Sequence, residues 1–449
     1  MFDTWRDSRR EVAVIGLGRS GAAATRLLRA HRVPVYASDS AEGADLARTA
    51  EALRGAGATV DLGGHDLGRI AAGAAVVLSP GVPPEASPVV AAREAGVEVR
   101  AELDVGLEAL PDVRYVAVTG TNGKTTTTAL VAQLMGAAGL DAQAGGNIGT
   151  PLTEIALRDR PPGWLALECS SFQLHDCPRI APAAGILTNL APDHLDRYPT
   201  LDAYYRDKAL FFRNAGPGSV WVTNADDPAS QDMVEGVPGT RIRFSTGARA
   251  EGWYDRAAGL LRLGAEPLLE RNALPLLGDH NVANALAAAL AVRSAAGAPI
   301  PALASGLASF HPLPHRLEPV REVDGVLWIN DSKATNIAST EVAVAAVERP
   351  FVLLLGGRHK GESYQRLVPR LERCRAVVAF GEAGPIVARD LAGAIEVARG
   401  GEFEDVIAKA RALARPGDVV LLSPACSSYD MFTNYEERGA RFRALVEGM

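Results

Sequence analysis

Val118-Thr119-Gly120-Thr121-Asn122-Gly123-Lys124-Thr125-Thr126 settles the fold class. The stretch closes an apolar strand (115–118) and opens a helical pattern marked by Ala129, Leu130, Leu134 and Met135. A glycine-rich turn in that position cradles phosphates, because backbone N–H groups and the helix N-terminus point at one anion. In such a P-loop Lys124 bridges β- and γ-phosphate oxygens and Thr125 binds Mg2+. The strict G-x-x-x-x-G-K-[ST] spacing is not met, since Val118 stands five before Gly123 and the nearer glycine is Gly120. That departure points to a particular P-loop subfamily. Gly120, Thr121, Asn122, Gly123, Lys124, Thr125 and Thr126 are the nucleotide-binding candidates.

Outward from this loop the chain reads as three α/β blocks: 1–104, 105–312 and 313–449. In the first, strands at 11–15, 33–37 and 74–78 alternate with an Ala/Leu helix at 22–30, which implies a parallel sheet covered by helices. The central block carries strands at 115–118, 164–168, 185–188 and 219–222 and an Ala/Leu helix at 282–292. Residues 244–277 look like hairpins and are not placed further. The third block has four strands, at 326–329, 351–355, 376–380 and 419–422, each ending in a small-residue turn. Ligands of open parallel sheets sit at the carboxyl ends of the strands, so the motifs at these turns point toward one face. The Pro-rich segment 311–314 is the expected hinge. The fold class is therefore α/β in three domains: Rossmann-like, P-loop ATPase-type and Rossmann-like.

Composition bounds the function. The 449 residues are 47% hydrophobic and 22% charged, which is globular rather than disordered. A net charge of −7 argues against a nucleic-acid partner. No apolar stretch has membrane-helix length, and the charged N-terminus has no signal-peptide core, so a cytoplasmic protein without membrane insertion is expected. The four cysteines have no metal-ligand or CxxC spacing and are expected as reduced thiols, mostly in the core. Of 46 basic residues only Lys124, Lys208, Lys333, Lys360 and Lys409 are lysines. Where Arg serves as the general cation, a retained Lys is a candidate for point-charge or amine chemistry.

Further motifs follow in order. Gly16-Leu17-Gly18-Arg19-Ser20-Gly21 matches G-x-G-x-x-G between a strand and a helix, and Asp39 ends the next strand. This fingerprint fits any diphosphate-linked nucleoside, with Asp39 on a ribose hydroxyl; a ligand-free strand–helix turn is the alternative. Glu168-Cys169-Ser170-Ser171-Phe172-Gln173 puts an acid at a strand end, where a second Mg2+ ligand belongs. His194, flanked by Asp193 and Asp196, is a candidate ligand on a polar turn. Lys208 lies on a helix over 201–212, with a surface ion pair to Asp207 as the plain alternative. Asp279 can cap the helix that follows, while Asn281 and Asn284 share a face able to meet an adenine edge. Arg316 at the hinge is placed like an arginine finger. Asp331-Ser332-Lys333-Ala334-Thr335-Asn336, Lys360, and the irregular run from Ser423 to Gly439 complete the set.

Taken together, GTNGKTT, ECSSFQL, DHLDRY, GDHNVANALAA, LPHRLE, DSKATN and LSPACSSYDMFTNYEERG resemble the Mur ligase family of ATP-dependent peptidoglycan-precursor enzymes. The resemblance covers the whole chain. The leading glycine block and the C-terminal motif resemble the members that join D-glutamate to UDP-N-acetylmuramoyl-L-alanine. The resemblance implies substrate contacts at Gly18, Arg19, Ser20, Asp39, Ser40, Gly81, Asn147, Ser171 and Gln173, with a UDP diphosphate at the first glycine turn. It implies an ATP site that adds Asn284, Arg316 and Asp331 to the P-loop residues. It implies a D-glutamate pocket at Thr335, Lys360, Ser428 and Tyr435, the last a Tyr where the family often has Phe. Two Mg2+ ions are implied at Thr125, Glu168, His194 and a carbamylated Lys208. Lys124, His194, Lys208, Lys333 and Arg316 are the implied catalytic set. ATP is the implied co-substrate, and a monomer is expected. Sister ligases, a folylpolyglutamate synthase-type ligase, an NAD oxidoreductase and a non-catalytic nucleotide-binding regulator remain as alternatives. The first glycine block speaks against the folate enzyme, and the P-loop is unneeded by an oxidoreductase.

Overall fold

The computed structural model describes residues 1–193 and 197–449. It contains three sheets. In the first, β1 (Val12–Ile15), β2 (Val35–Asp39), β3 (Thr59–Leu62), β4 (Ala75–Leu78) and β5 (Glu98–Ala101) lie in the order β3-β2-β1-β4-β5, all parallel. The central strands are buried on both faces, as their unbroken apolar runs require. The helix Arg19–Ala30 packs Ala22, Ala24, Leu27 and Leu28 into this core. Its approach depends on Gly21: a Cβ there would lie 1.8 Å from the Gly16 carbonyl oxygen.

The second sheet has nine strands: β6 (Arg114–Thr119), β7 (Ala142–Gly146), β8 (Trp164–Glu168), β9 (Ala184–Leu187), β10 (Val220–Asn224), β11 (Thr240–Ser245), β12 (Gly252–Asp255), β13 (Leu260–Leu263) and β14 (Glu266–Glu270). Their order is β14-β13-β12-β11-β10-β9-β6-β8-β7. It is parallel from β7 to β12 and antiparallel through β12, β13 and β14. The meander β12–β14 occupies most of the stretch that the sequence left unplaced. In the third sheet β15 (Glu318–Val323), β16 (Val326–Asn330), β17 (Phe351–Gly356), β18 (Cys374–Phe380), β19 (Val397–Arg399) and β20 (Val419–Leu422) lie in the order β15-β16-β20-β17-β18-β19. This sheet has six strands, not the four expected. β15 pairs antiparallel with β16, and β19 adds a three-residue edge.

Two compact units emerge. One is Met1–Ala273 with Ala283–Ala308 and holds the first two sheets; the other is Leu274–Val282 with Ser309–Met449 and holds the third. The expected hinge at 311–314 falls just after the Ala308/Ser309 boundary. All four cysteines are free and buried. Among the described residues no helix is long and apolar enough to cross a membrane.

Candidate functional site

The phosphate loop sits where β6 ends and the helix Lys124–Ala137 begins. Gly123 precedes that helix with φ +80°, and a Cβ there would lie 2.5 Å from Asn284 Oδ1. The loop therefore admits the expected adenine-reading Asn284 beside it only because the position is glycine. The turn is braced from two sides. Asn122 N donates to Asn189 Oδ1 (2.9 Å), and Thr188 Oγ1 donates to Asn122 O (2.7 Å). Thr121 Oγ1 bonds Ala191 O (3.1 Å) and the Tyr204 hydroxyl (3.2 Å). Lys124 Nζ donates to Gly120 O (3.0 Å) and Thr121 O (2.7 Å).

Lys208 reaches the same carbonyl, with Nζ 2.7 Å from Gly120 O. Its side chain is 1% exposed and lies over the Tyr204 ring at 4.7 Å. The surface ion pair with Asp207 is not made; Asp207 instead accepts from the Tyr198 hydroxyl and meets His175 Nδ1. The helix also ends earlier than expected, at Ala209, before a short 3-10 turn over Leu210–Phe212. Burial, and then the nearby Lys124 charge, hold the Lys208 amine well below the usual lysine range.

Glu168 ends β8, 2% exposed. Its Oε1 accepts from Asn147 Nδ2 (2.9 Å), while Oε2 is buried and, among the described residues, has no hydrogen-bond partner. An open carboxylate oxygen next to a phosphate loop fits a hard cation such as Mg2+. His194 lies outside the described residues. Among the described residues no cluster of three or more His, Cys, Asp or Glu side chains forms a metal site by itself.

At the first sheet a cleft of about 520 Å³ is lined by Gly18, Arg19, Ser20, Asp39, Ser40 and Gly81, together with Asn147 from the second sheet's side. The sequence thus names much of its wall. Two of these lining side chains also bind the protein itself. The Asp39 carboxylate is engaged by backbone, accepting from Leu17 N (2.7 Å) and Ala41 N (2.9 Å), so it shapes the glycine turn. Arg19 pairs with Glu154 and donates to Gly149 O (3.1 Å), tying the glycine turn to the 149–154 segment. Ser171 and Gln173 are buried but stand outside this cleft; Gln173 lines a neighbouring one of about 410 Å³ that shares Ser79, Pro80 and Val82.

In the second unit the turns at the carboxyl ends of the strands carry the remaining candidates. Asp331 accepts from Leu317 N (3.1 Å) and Ser423 Oγ (2.8 Å), and burial pushes its carboxyl up to about 7. Arg316 acts on that carboxyl electrostatically. It stands between two non-glycine residues with left-handed backbone, His315 (φ 63°) and Leu317 (φ 43°). The strain is held by Glu318 on His315 N (2.9 Å) and Asp331 on Leu317 N. Lys333 Nζ lies 5.0 Å from the Tyr435 ring centroid. Lys360 is exposed after β17, Thr335 is half-buried just before the helix Ile337–Ala346, and Ser428 is buried. Asp279 is the first residue of its helix, not a residue preceding it, and Asn281 Nδ2 donates to Leu277 O (2.8 Å).

Sequence reasoning passed over three participants. Tyr204 lies one turn before Lys208, a spacing that puts both on one helix face. Asn189 braces the phosphate loop from a turn chosen only for His194. Arg438 sat inside a quoted motif without a role, yet it is wholly buried.

The chain matches family models for the Mur ligase MurD-like N-terminal domain over residues 10–101, the Mur ligase middle domain over 118–292, and the Mur ligase glutamate ligase domain over 315–426. It is 41% identical to the UDP-N-acetylmuramoylalanine–D-glutamate ligase of Salinibacter ruber, over 98% of both chains. It is 39% identical to the ligase of the same name from Myxococcus xanthus, over 98% of this chain and 99% of that one. In fold it is similar to the UDP-N-acetylmuramate–alanine ligase MurC of Thermotoga maritima, with TM-score 0.62, 18% identity, and 98% and 99% of the chains covered. MurF of Acinetobacter baumannii gives TM-score 0.63 at 16% identity, over 97% of this chain and 93% of that one. With relatives at this identity along essentially its full length, the chain belongs to the Mur ligase family.

Proposed function

We propose that the protein is an ATP-dependent ligase that joins D-glutamate to UDP-N-acetylmuramoyl-L-alanine in peptidoglycan precursor synthesis. The observation that carries this is its full-length identity of about 40% with ligases of that name. The braced phosphate loop with Lys124 and the buried Lys208 support an ATP-using mechanism.

A carboxylate is a poor electrophile at neutral pH, so it must be activated. An oxygen of the L-alanine carboxylate attacks the γ-phosphorus, the bond to the bridging oxygen breaks, and ADP leaves. The amine of D-glutamate then attacks the acyl carbon. Phosphate departs with the carboxylate oxygen, and the amine loses a proton. Two anions must meet in the first step, and Lys124 and Arg316 are the cations assigned to that approach. The P-loop residues 120–126, Asn284 and Asp331 hold the nucleotide. Gly18, Arg19, Ser20, Asp39, Ser40, Gly81 and Asn147 line the cleft for the UDP part, with Ser171 and Gln173 nearer the reacting carboxylate. Thr335, Lys360, Ser428 and Tyr435 receive D-glutamate, and Lys333 adds positive charge beside Tyr435.

Thr125, Glu168, His194 and a Lys208 carbamate are assigned to two Mg2+ ions, which when bound would neutralise phosphate charge. A carbamate needs a neutral amine, and the buried, depressed Lys208 supports one. On this reading the enzyme works as a cytoplasmic monomer. The test is isotopic: with 18O in the L-alanine carboxylate, one label should appear in each released phosphate. Phosphate without label would rule out acyl-phosphate activation.

A further inference from the structure

Arg438 lies on the helix Tyr435–Glu447 with its side chain 0% exposed. Its Nε donates to Ser332 Oγ (3.0 Å). One terminal nitrogen donates to Ser332 O (2.8 Å) and Cys426 O (3.1 Å), and the other reaches Gly356 O at 3.5 Å. The three accepting residues lie at the carboxyl ends of neighbouring strands: Ser332 after β16, Cys426 after β20 and Gly356 as the last residue of β17. One guanidinium therefore joins three neighbouring strand-end turns. Ser332 Oγ in turn donates to Tyr435 O (2.8 Å), which ties in the first turn of the helix itself.

The turns so joined carry the residues assigned to the amino-acid pocket. Thr335 and Lys333 follow Ser332, Lys360 follows Gly356, Ser428 follows Cys426, and Tyr435 begins the helix. Among the described residues no carboxylate pairs with Arg438; Asp430 attracts it without a hydrogen bond. Burial lowers its pKa to about 10, so it still carries its charge at neutral pH. A buried cation held only by carbonyls and a hydroxyl is costly, and a simple core position would be filled more cheaply by an apolar side chain. Lys can replace it only in part, because its donors radiate from one nitrogen whereas the planar fork spreads them over turns that lie apart.

We propose that Arg438 is a positioning residue that fixes the amino-acid pocket and places a buried positive charge behind it, favouring a dicarboxylate acceptor. The inference rests on the ligase reading above. Arg438 does not touch substrate; it acts through Ser332, Gly356, Cys426 and Tyr435.

The experiment measures kcat and KM for each of the three substrates, with thermal midpoints, in Arg438→Met, Arg438→Lys and Ser332→Ala. Loss of a charge-assisted hydrogen-bond set predicts that Arg438→Met raises the D-glutamate KM by about tenfold or more. The KM values for ATP and the UDP substrate should stay within about threefold. Arg438→Lys should recover part of the loss, and Ser332→Ala should raise the D-glutamate KM alone. Equal shifts in all three KM values that track a fall in the thermal midpoint would overturn the inference. So would an unchanged D-glutamate KM in Ser332→Ala, which also decides the matter if Arg438→Met does not fold. If the wild-type protein shows no D-glutamate-dependent phosphate release, the ligase reading falls first and this inference falls with it.

Discussion

At Lys208, burial and a neighbouring amine act in the same direction. The side chain shares the Gly120 carbonyl with Lys124, so two ammonium groups would be held side by side in a region of low polarity. Burial and that neighbour hold the Lys208 amine well below the ordinary lysine value. A neutral amine can act as a nucleophile toward CO2; a guanidinium cannot. Lys208→Ala is therefore expected to lose about 100-fold or more of the ligase activity, the scale of removing one transition-state stabilising group. Lys208→Arg should be equally inactive although it keeps the positive charge. Near-normal turnover in Lys208→Arg would contradict the carbamate assignment. The sparse use of lysine made this residue conspicuous in the sequence. Its burial was not legible there, because it depends on how the helix Leu201–Ala209 packs against the phosphate loop.

Glu102 shows how helices are joined near the first cleft. It opens the helix Glu102–Ala109, and its Oε1 accepts from Thr153 N (2.7 Å) and Thr153 Oγ1 (2.6 Å) in the helix Leu152–Ala156. The other oxygen is buried and, among the described residues, has no hydrogen-bond partner, and burial pushes the carboxyl up to about 7. A raised carboxyl pKa means the folded state holds the proton more tightly than the unfolded chain. The cost of ionisation is absent below about 4.5, grows as pH rises, and is complete above about 7. Glu102→Gln removes that cost, so it should stabilise the protein by about 3 kcal/mol at pH 8 and hardly at all at pH 4.5. Denaturant unfolding of both proteins across this range checks it; a pH-independent difference would contradict it.

Burial on both faces decides which strands are legible in the sequence. β1, β4, β8 and β20 are continuous apolar runs buried on both faces, and they stand out as strands. β3, β5 and β19 are short and partly exposed, with charged residues among few apolar ones. β7 is Ala- and Gly-rich, a composition with weak strand preference. Their pairing partners, not their own residues, make them strands. Phosphate-loop chemistry was legible because it is contiguous in sequence. Tyr204, Asn189 and Arg438 were not singled out, because each acts across a long sequence separation.

Candidate ATP-binding residues are spread along the sequence, from Lys124 to Arg316 and Asp331. The family resemblance and the names of the full-length relatives agree on D-glutamate ligation. Fold and reaction class were legible because seven motifs occur together in a fixed order. The choice of amino acid was legible only through the resemblance, because no contiguous motif spells out chirality or side-chain length. The decisive measurement is phosphate release from ATP with Mg2+ and UDP-N-acetylmuramoyl-L-alanine. The amino-acid panel should contain D-glutamate, L-glutamate, L-alanine, L-lysine and meso-diaminopimelate. Release with D-glutamate alone is the predicted result; release with another member of the panel, or with none, would contradict the proposed function.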